Sequence, residues 1–256
     1  MIDLFETTIL EKEKIKMKNP ILIEGLPGIG LVGKIAADHM IAELRATKVA
    51  DIISPHFPHQ VIMQKNGVMR MIKNRLFHVK GKKNDLLILV GDVQAVTSEA
   101  QYEVTGKMLD YAQKKGVKFI ITLGGYGTGR VHPTPRIFGI VSHKHLVEQY
   151  KKFGIIFGES KGSIIGAAGL LLGLGKTRGM EGLCIMGETH GGFVDPKSAQ
   201  GVLESLSKIL EIKVDTKKLD SRAKESEAFA KKMEKEAMAA KGMGMEPGKH
   251  DLSYIR

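Results

Sequence analysis

The sequence predicts an α/β protein with a largely parallel central sheet, and three observations carry the prediction. Residues 21–24, 85–92 and 117–123 are short, near-continuous apolar runs of the kind that strands buried on both faces show. Stretches of helical periodicity alternate with them, at 31–44, 98–115, 163–174 and Pro196–Leu210. Glycine-rich turns stand where strands give way to helices, at 25–33 and again after Leu123. Strand, glycine turn and helix in repeated order is the pattern of an α/β sheet.

The elements follow in order. The run at 21–24 is a buried strand, and Leu31, Ile35, Met40, Ile41 and Leu44 give the next segment a helical stripe. Strands are predicted at 50–54, 60–64, 68–73 and 75–79, with Asn66-Gly67 as a hairpin turn between the second and third. The strand at 85–92 leads to a helix whose expected N-cap is Ser98, with Gln101 completing a capping box and Gly116 ending it. After the strand at 117–123 come a strand at 137–142, a small-residue helix at 163–174 and a strand at 183–187. A helix with Pro196 in its first turn follows, and the sheet is expected to end near Val214.

Size and charge bound the function. The 256 residues fit one large domain, or one domain plus an appendage, and 43% hydrophobic residues suffice for a sizeable core. The single cysteine, Cys184, lies in an apolar run and reads as a small core residue, so no disulfide framework or thiolate metal site arises within one chain. No signal-peptide core precedes residue 20 and no charge-free apolar run reaches membrane length, so a soluble, cytoplasmic protein is expected. The net charge of +11 is spread along the chain, aromatics are only 5% and tryptophan is absent. Base-stacking platforms are therefore scarce, and no dedicated nucleic-acid role is expected.

The turn Gly25-Leu-Pro-Gly28-Ile-Gly30-Leu-Val-Gly33-Lys34 fits two nucleotide templates on paper. As a phosphate loop it fails at Ile35, where magnesium chemistry needs Ser or Thr. As a dinucleotide fingerprint it has the right glycine spacing, but the ribose-binding acid due about 20 residues on is represented only by Asp51 on a weakly defined strand. A second lure, Gly169 to Thr177, has its upstream glycine one residue too far back. Ligands in open α/β sheets bind outside the carboxyl ends of strands. Gly28, Gly30, Gly33, Asp92, Gly125, Gly127 and Arg130 are therefore the candidate anion or ligand crevice, with tight structural packing as the competing reading.

Other constellations are weaker. Glu188, Thr189 and His190 combine a carboxylate, a hydroxyl and an imidazole, but no G-x-S-x-G elbow is present. His56-x-x-His59 and His143-x-His145 lack a third ligand, and the second pair is expected to point apart at the start of a helix. No catalytic residue, metal or cofactor is expected.

After Val214 the chain changes character. Leu219, Ala223, Ser226, Ala230, Met233, Ala237 and Ala240 follow a seven-residue repeat with mostly small residues. Glu227–Lys231 and Lys232–Glu236 would support an exposed helix. Three parts result: a core at 1–214, a charged helical arm at 215–245 and a flexible tail at 246–256.

Four ordered blocks carry a family resemblance. They are Gly25 to Gly33, Gly91-Asp-Val-Gln94, Thr122 to Arg130, and Gly166 to Gly175 leading into Arg178 to Thr189. Over roughly residues 20–210 the chain resembles the archaeal proteasome assembly chaperone family. The resemblance implies a three-layer α/β core similar to nucleoside phosphorylases and a homo-oligomer, with four copies as one expectation. It also implies an ATP-independent role in helping proteasome α subunits form rings. Its C-terminal segments would engage the client, which makes Leu219, Phe229 and Met233 on the arm, and Leu252, Tyr254 and Ile255 in the tail, the candidate partner contacts. Proteasome-docking tails commonly end hydrophobic–tyrosine–any residue, whereas Tyr254 here is third from the end. That offset moves the terminal carboxylate by about 3.3 Å. The alternative reading is an enzyme or sensor that holds a nucleotide or other small molecule in the glycine crevice.

Overall fold

The computed structural model describes residues 5–13, 15–159, 162–219 and 221. Strands β1 (Thr8–Glu11), β2 (Ile21–Gly25), β3 (Thr47–Ile53), β6 (Asn74–Val79), β7 (Leu86–Gly91), β8 (Phe119–Gly127), β9 (Ile137–Val141) and β10 (Glu181–Thr189) form one sheet. Their order across it is β1-β3-β6-β7-β2-β8-β10-β9. Strands β4 (Val61–Met63) and β5 (Met69–Met71) form a separate hairpin about Asn66-Gly67.

The parallel character belongs to the centre, where β7, β2, β8 and β10 run together. The flanks are antiparallel. The six residues between β6 and β7 show why: so short a connection cannot make the crossover that parallel neighbours require. All six residues of β7 are buried, as its unbroken apolar run predicts.

Helices cover both faces, which makes three layers. Helices α1 (Val32–Glu43) and α5 (Pro196–Leu210), with the short α3 (Leu146–Lys151), pack on Ile23, Ile88, Ile121 and Ile185. Helices α2 (Ser98–Lys114) and α4 (Ala167–Thr177) pack on the other face, over Leu22, Leu89, Ile120 and Cys184. Burial raises the Cys184 thiol to about 12, so it behaves as a small core side chain.

Several expectations need correction. The N-cap of α2 is Thr97, one residue earlier than Ser98, and its hydroxyl accepts from the Ala100 amide at 3.2 Å. Gln101 instead reaches back to the Ala95 carbonyl and to Gln94. Gln94 in turn ties two layers, because its amide donates to the Pro27 carbonyl at 2.6 Å while its oxygen accepts from the first amide of α4. Strand β1 was not expected; it pairs with β3 from Thr8↔Ile53 to Glu11↔Ala50 and closes one edge of the sheet. Strand β8 does not stop at Leu123. It runs through Gly124-Gly125-Tyr126-Gly127, paired with β10 as far as Gly127↔Thr189. The cross-strand partner overrides the local loop propensity of four consecutive turn-rich positions.

The segment after α5 folds back on the core. The Asp215 carbonyl accepts from His39 at 2.6 Å, Lys218 pairs with Glu43 at 3.1 Å, and Leu219 is fully buried against the face that carries α1 and α5. The rest of the arm and the tail lie outside the described residues.

Two features of this core are directly testable. A Cβ on Gly33, in the first turn of α1, would overlap the Leu123 carbonyl oxygen of β8, a backbone atom that cannot swing aside. Gly28 has extended dihedrals and nothing around it. Gly33→Ala should therefore cost roughly 3 kcal/mol of unfolding free energy by overpacking, and Gly28→Ala should stay within about 0.5 kcal/mol, as read by urea denaturation.

The second feature is Glu24, 1% exposed in the middle of the sheet, where Oε1 accepts from the Leu26 amide at 2.8 Å. Burial raises its carboxyl to about 8 from an ordinary 4.5, with that amide opposing the shift. The folded chain therefore keeps a proton that the unfolded chain releases, and stability falls as pH rises from about 4.5 towards about 8. Glu24→Gln should flatten that part of the pH profile and raise stability at pH near 8 by a few kcal/mol, seen as a melting-temperature difference absent at pH near 4.5.

Candidate functional site

The carboxyl ends of the central strands meet the β2–α1 turn, where the predicted crevice residues were to converge. The structure does bring the glycines together. Gly30 takes φ +62° and its carbonyl accepts from the Asp195 amide at 2.9 Å, which joins the turn to the start of α5. Leu31 follows at φ +51°, an unusual conformation for a residue with a side chain, and its backbone N–H donates a hydrogen bond to the Gly28 carbonyl at 2.9 Å. Gly125 of β8 faces the Ile29 carbonyl so closely that a Cβ there would overlap it. Gly127 and Gly191 both lie under the Ile29 side chain.

The turn is thus closed onto β8 by backbone contacts, with the Ile29 side chain over Gly127 and Gly191. Thr189 completes the closure. Its hydroxyl donates to Asp195 at 2.7 Å, and Asp195 caps α5 by accepting from the Ser198 amide at 2.9 Å. The Thr189 carbonyl accepts from the Thr128 amide at 2.8 Å.

Asp92 is committed to other partners. Asp92 is a clamp: Arg70 approaches both carboxylate oxygens at 2.6 and 3.1 Å, Arg75 adds a bond at 2.7 Å, and the Lys73 amide adds another at 3.1 Å. Burial would raise its carboxyl, but the arginines and the amide hold it below the ordinary range. These bonds fix the β4–β5 hairpin to the ends of β6 and β7. Arg130 is exposed, and its carbonyl accepts from the Thr128 hydroxyl at 3.5 Å.

Glu188, Thr189 and His190 likewise fail to form one constellation. Successive strand residues point to opposite faces, and each has a separate role. Glu188 is 1% exposed and takes Arg136 in a two-pronged pair at 2.8 and 3.1 Å, which holds its carboxyl below the ordinary range. Thr189 serves Asp195, and His190 stacks on Phe193 at 4.8 Å. Arg136, absent from the sequence-based candidates, fastens the start of β9 to β10; nothing local in its sequence marks it. The rings of His143 and His145 lie 5.8 Å apart rather than diverging, because α3 starts only at Leu146. Among the described residues no three His, Cys, Asp or Glu side chains group as metal ligands, and no helix is long and apolar enough to cross a membrane.

Of the predicted partner contacts, Leu219 is a core residue, since its side chain is sealed by the packed segment that contains it. Phe229, Met233, Leu252, Tyr254 and Ile255 lie outside the described residues. Among the described residues, a group of exposed apolar side chains lies on the hairpin. Val61 faces Met71 and Met63 faces Met69, so all four share one side of the two-stranded ribbon. They are 45%, 56%, 88% and 70% exposed, respectively. The opposite side carries Ile62, packed on the core, and Arg70, bound to Asp92. The alternation Val61-Ile-Met63 and Met69-Arg-Met71 is the signal that could have found this face.

Known proteins share this architecture. A family model described as the PAC2 family matches residues 22–234. An uncharacterized protein of Methanocaldococcus jannaschii is 34% identical over 241 residues, covering 93% of each chain. Among solved structures, that of Pyrococcus furiosus PbaB, an archaeal proteasome activator, is 45% identical with a TM-score of 0.85, over 90% of this chain and 99% of that one. Pyrococcus furiosus PbaA, an archaeal homolog of proteasome-assembly chaperone, is 26% identical with a TM-score of 0.75, over 93% and 95% of the two chains. These matches agree with the resemblance carried by the four glycine-rich blocks. Since the family model takes in most of the sequence and the shared fold runs nearly end to end, the chain belongs to the PAC2 family.

Proposed function

We propose that this chain is an ATP-independent assembly chaperone that binds proteasome α subunits and favours their joining into rings. The observation that carries the reading is the 45% identity to an archaeal proteasome activator over nearly the whole of both chains. The close packing of the glycine turn on β8 is consistent with it, because those glycines serve backbone approach. On this reading the protein works by binding rather than turnover, in the cytoplasm, as a homo-oligomer for which four copies is the working number.

The α/β body is the scaffold and the residues beyond 221 are the client-engaging part, with Phe229, Met233, Leu252, Tyr254 and Ile255 as the anchors. Several such arms on one oligomer raise the effective concentration of each. The methionine face of the hairpin suits contact between copies, since methionine adapts to irregular apolar partners and contiguous exposed apolar groups mark interaction surfaces.

The test is capture of purified proteasome α subunits by the full chain and by a chain ending at Ser221. The shorter chain must keep Leu219, whose burial makes a cut after Val214 a stability change as well as a loss of the arm. The full chain should capture α subunits equally with and without Mg-ATP, and truncation should weaken capture at least about tenfold. Equal capture by the truncated chain would refute the arm as the contact; no capture by the full chain would refute the function. A melting-temperature rise with a nucleotide or sugar phosphate, lost in Arg130→Ala, would point instead to a ligand at the glycine turn. Separately, Met63→Lys with Met69→Lys should shift the oligomer towards monomer in light scattering while leaving stability within about 0.5 kcal/mol; an unchanged assembly would remove this face from the copy contact.

A further inference from the structure

The other end of the sheet holds a feature that the proposed function does not use. At the amino ends of β7, β2 and β8 a trough of about 1020 Å³ opens between the β6–β7 connection and the segment after α5. Its floor is apolar and half-buried: Leu44, Val79, Phe119, Phe153 and Ile212 all line it and all remain partly accessible. Its rim carries Lys80, Lys82, Lys118, Lys152 and Lys213, each exposed and each without a carboxylate partner among the described residues. Glu211 is the one acidic residue of the lining, and Lys83 pairs with it at 2.8 Å.

From this juxtaposition we infer that the trough is a docking groove for an acidic, amphipathic segment of a partner protein. Apolar side chains of the segment would cover the floor, and its carboxylates would meet the rim. Charge complementarity selects this occupant. Lys80 and Lys82 stand on one connection, Lys118 at the foot of β8, and Lys152 and Lys213 on two further segments, so the positive charge is distributed along an extended binder. No charged side chain is buried in the lining, as a site built for a single small anion would require. The lining has no arginine, and its rings are engaged with one another, Phe119 on Tyr150 at 5.9 Å and Tyr150 on Phe153 at 6.4 Å. Nucleic acid would find neither a guanidinium fork nor a free stacking face. A cavity of about 1020 Å³, at the upper end of the range for small-molecule sites, has room for a peptide.

The groove belongs to the body of the protein, so its test is separate from that of the C-terminal arm. The probe is a fluorescein-labelled helical peptide of roughly 16 residues, about 24 Å long, with leucines at i, i+3, i+4 and i+7 and glutamates elsewhere. Fluorescence anisotropy with the full chain should show saturable binding. Binding should weaken at least about tenfold when glutamine replaces the glutamates, when serine replaces the leucines, and in Lys80→Glu/Lys118→Glu/Lys152→Glu. Raising salt from about 50 to about 300 mM should weaken it too. The three lysines are exposed, and an unchanged melting temperature shows that the variant is folded. Absent binding, or equal binding by the triple variant, would overturn the proposal. So would displacement of the peptide by a single-stranded oligonucleotide that binds more tightly. Cross-links from the rim lysines to residues beyond 221, or between copies, with no peptide bound, would assign the groove to the chain itself and overturn it as well.

Discussion

The seating of the β2–α1 turn on strand β8 is the constraint on which the rest of the structure depends. Gly33 meets the Leu123 carbonyl and Gly125 meets the Ile29 carbonyl, each at a distance that no side chain permits. This approach lays α1 flat on the sheet, so that Val32, Ala36, Ala37 and Met40 are sealed against Ile23 and Ile121. The turn has the glycines of a phosphate cradle, but the group it receives is the next strand.

The charged groups near that end of the sheet are committed in the same way. Asp92 holds the hairpin through Arg70 and Arg75, Glu188 holds the edge strand through Arg136, and Asp195 caps α5 while accepting from Thr189. Asp51 gathers Lys48 and Lys73 on the flank, at 3.2 and 3.0 Å. Each carboxylate fixes one element to another. Among the described residues, a ribbon face of valine and methionine and a lysine-rimmed apolar trough lie on the outside. Exposed apolar and cationic groups of this kind suit the proposed binding of other chains.

Much of the fold was legible because burial writes directly into sequence. Strands β2 and β7 show as unbroken apolar runs, α5 announces itself with Pro196 at its first position, and Asn66-Gly67 marks its hairpin. Strand β1 was hidden because an edge strand buries little and its Thr8–Glu11 sequence is half polar. The extension of β8 through three glycines was hidden because the strand is imposed by β10, not by its own residues. The crevice itself was ambiguous for a physical reason: glycine is needed for close backbone approach whether the approaching atom is a phosphate oxygen or a peptide carbonyl. Leu219 is buried, which the seven-residue repeat could not foretell because a repeat reports periodicity and not burial. The trough left no local mark, since its lysines come from separate segments that only the sheet brings together.

On the proposed function the glycine turn is structural and activity resides on surfaces that meet other chains. Hydrogen exchange on the full chain, free and with proteasome α subunits or Mg-ATP, tests this most directly. New protection on adding α subunits should appear in residues beyond 221, with amides 28–34 unchanged by either addition. Protection of amides 28–34 by Mg-ATP, with none beyond 221 on adding α subunits, would contradict it.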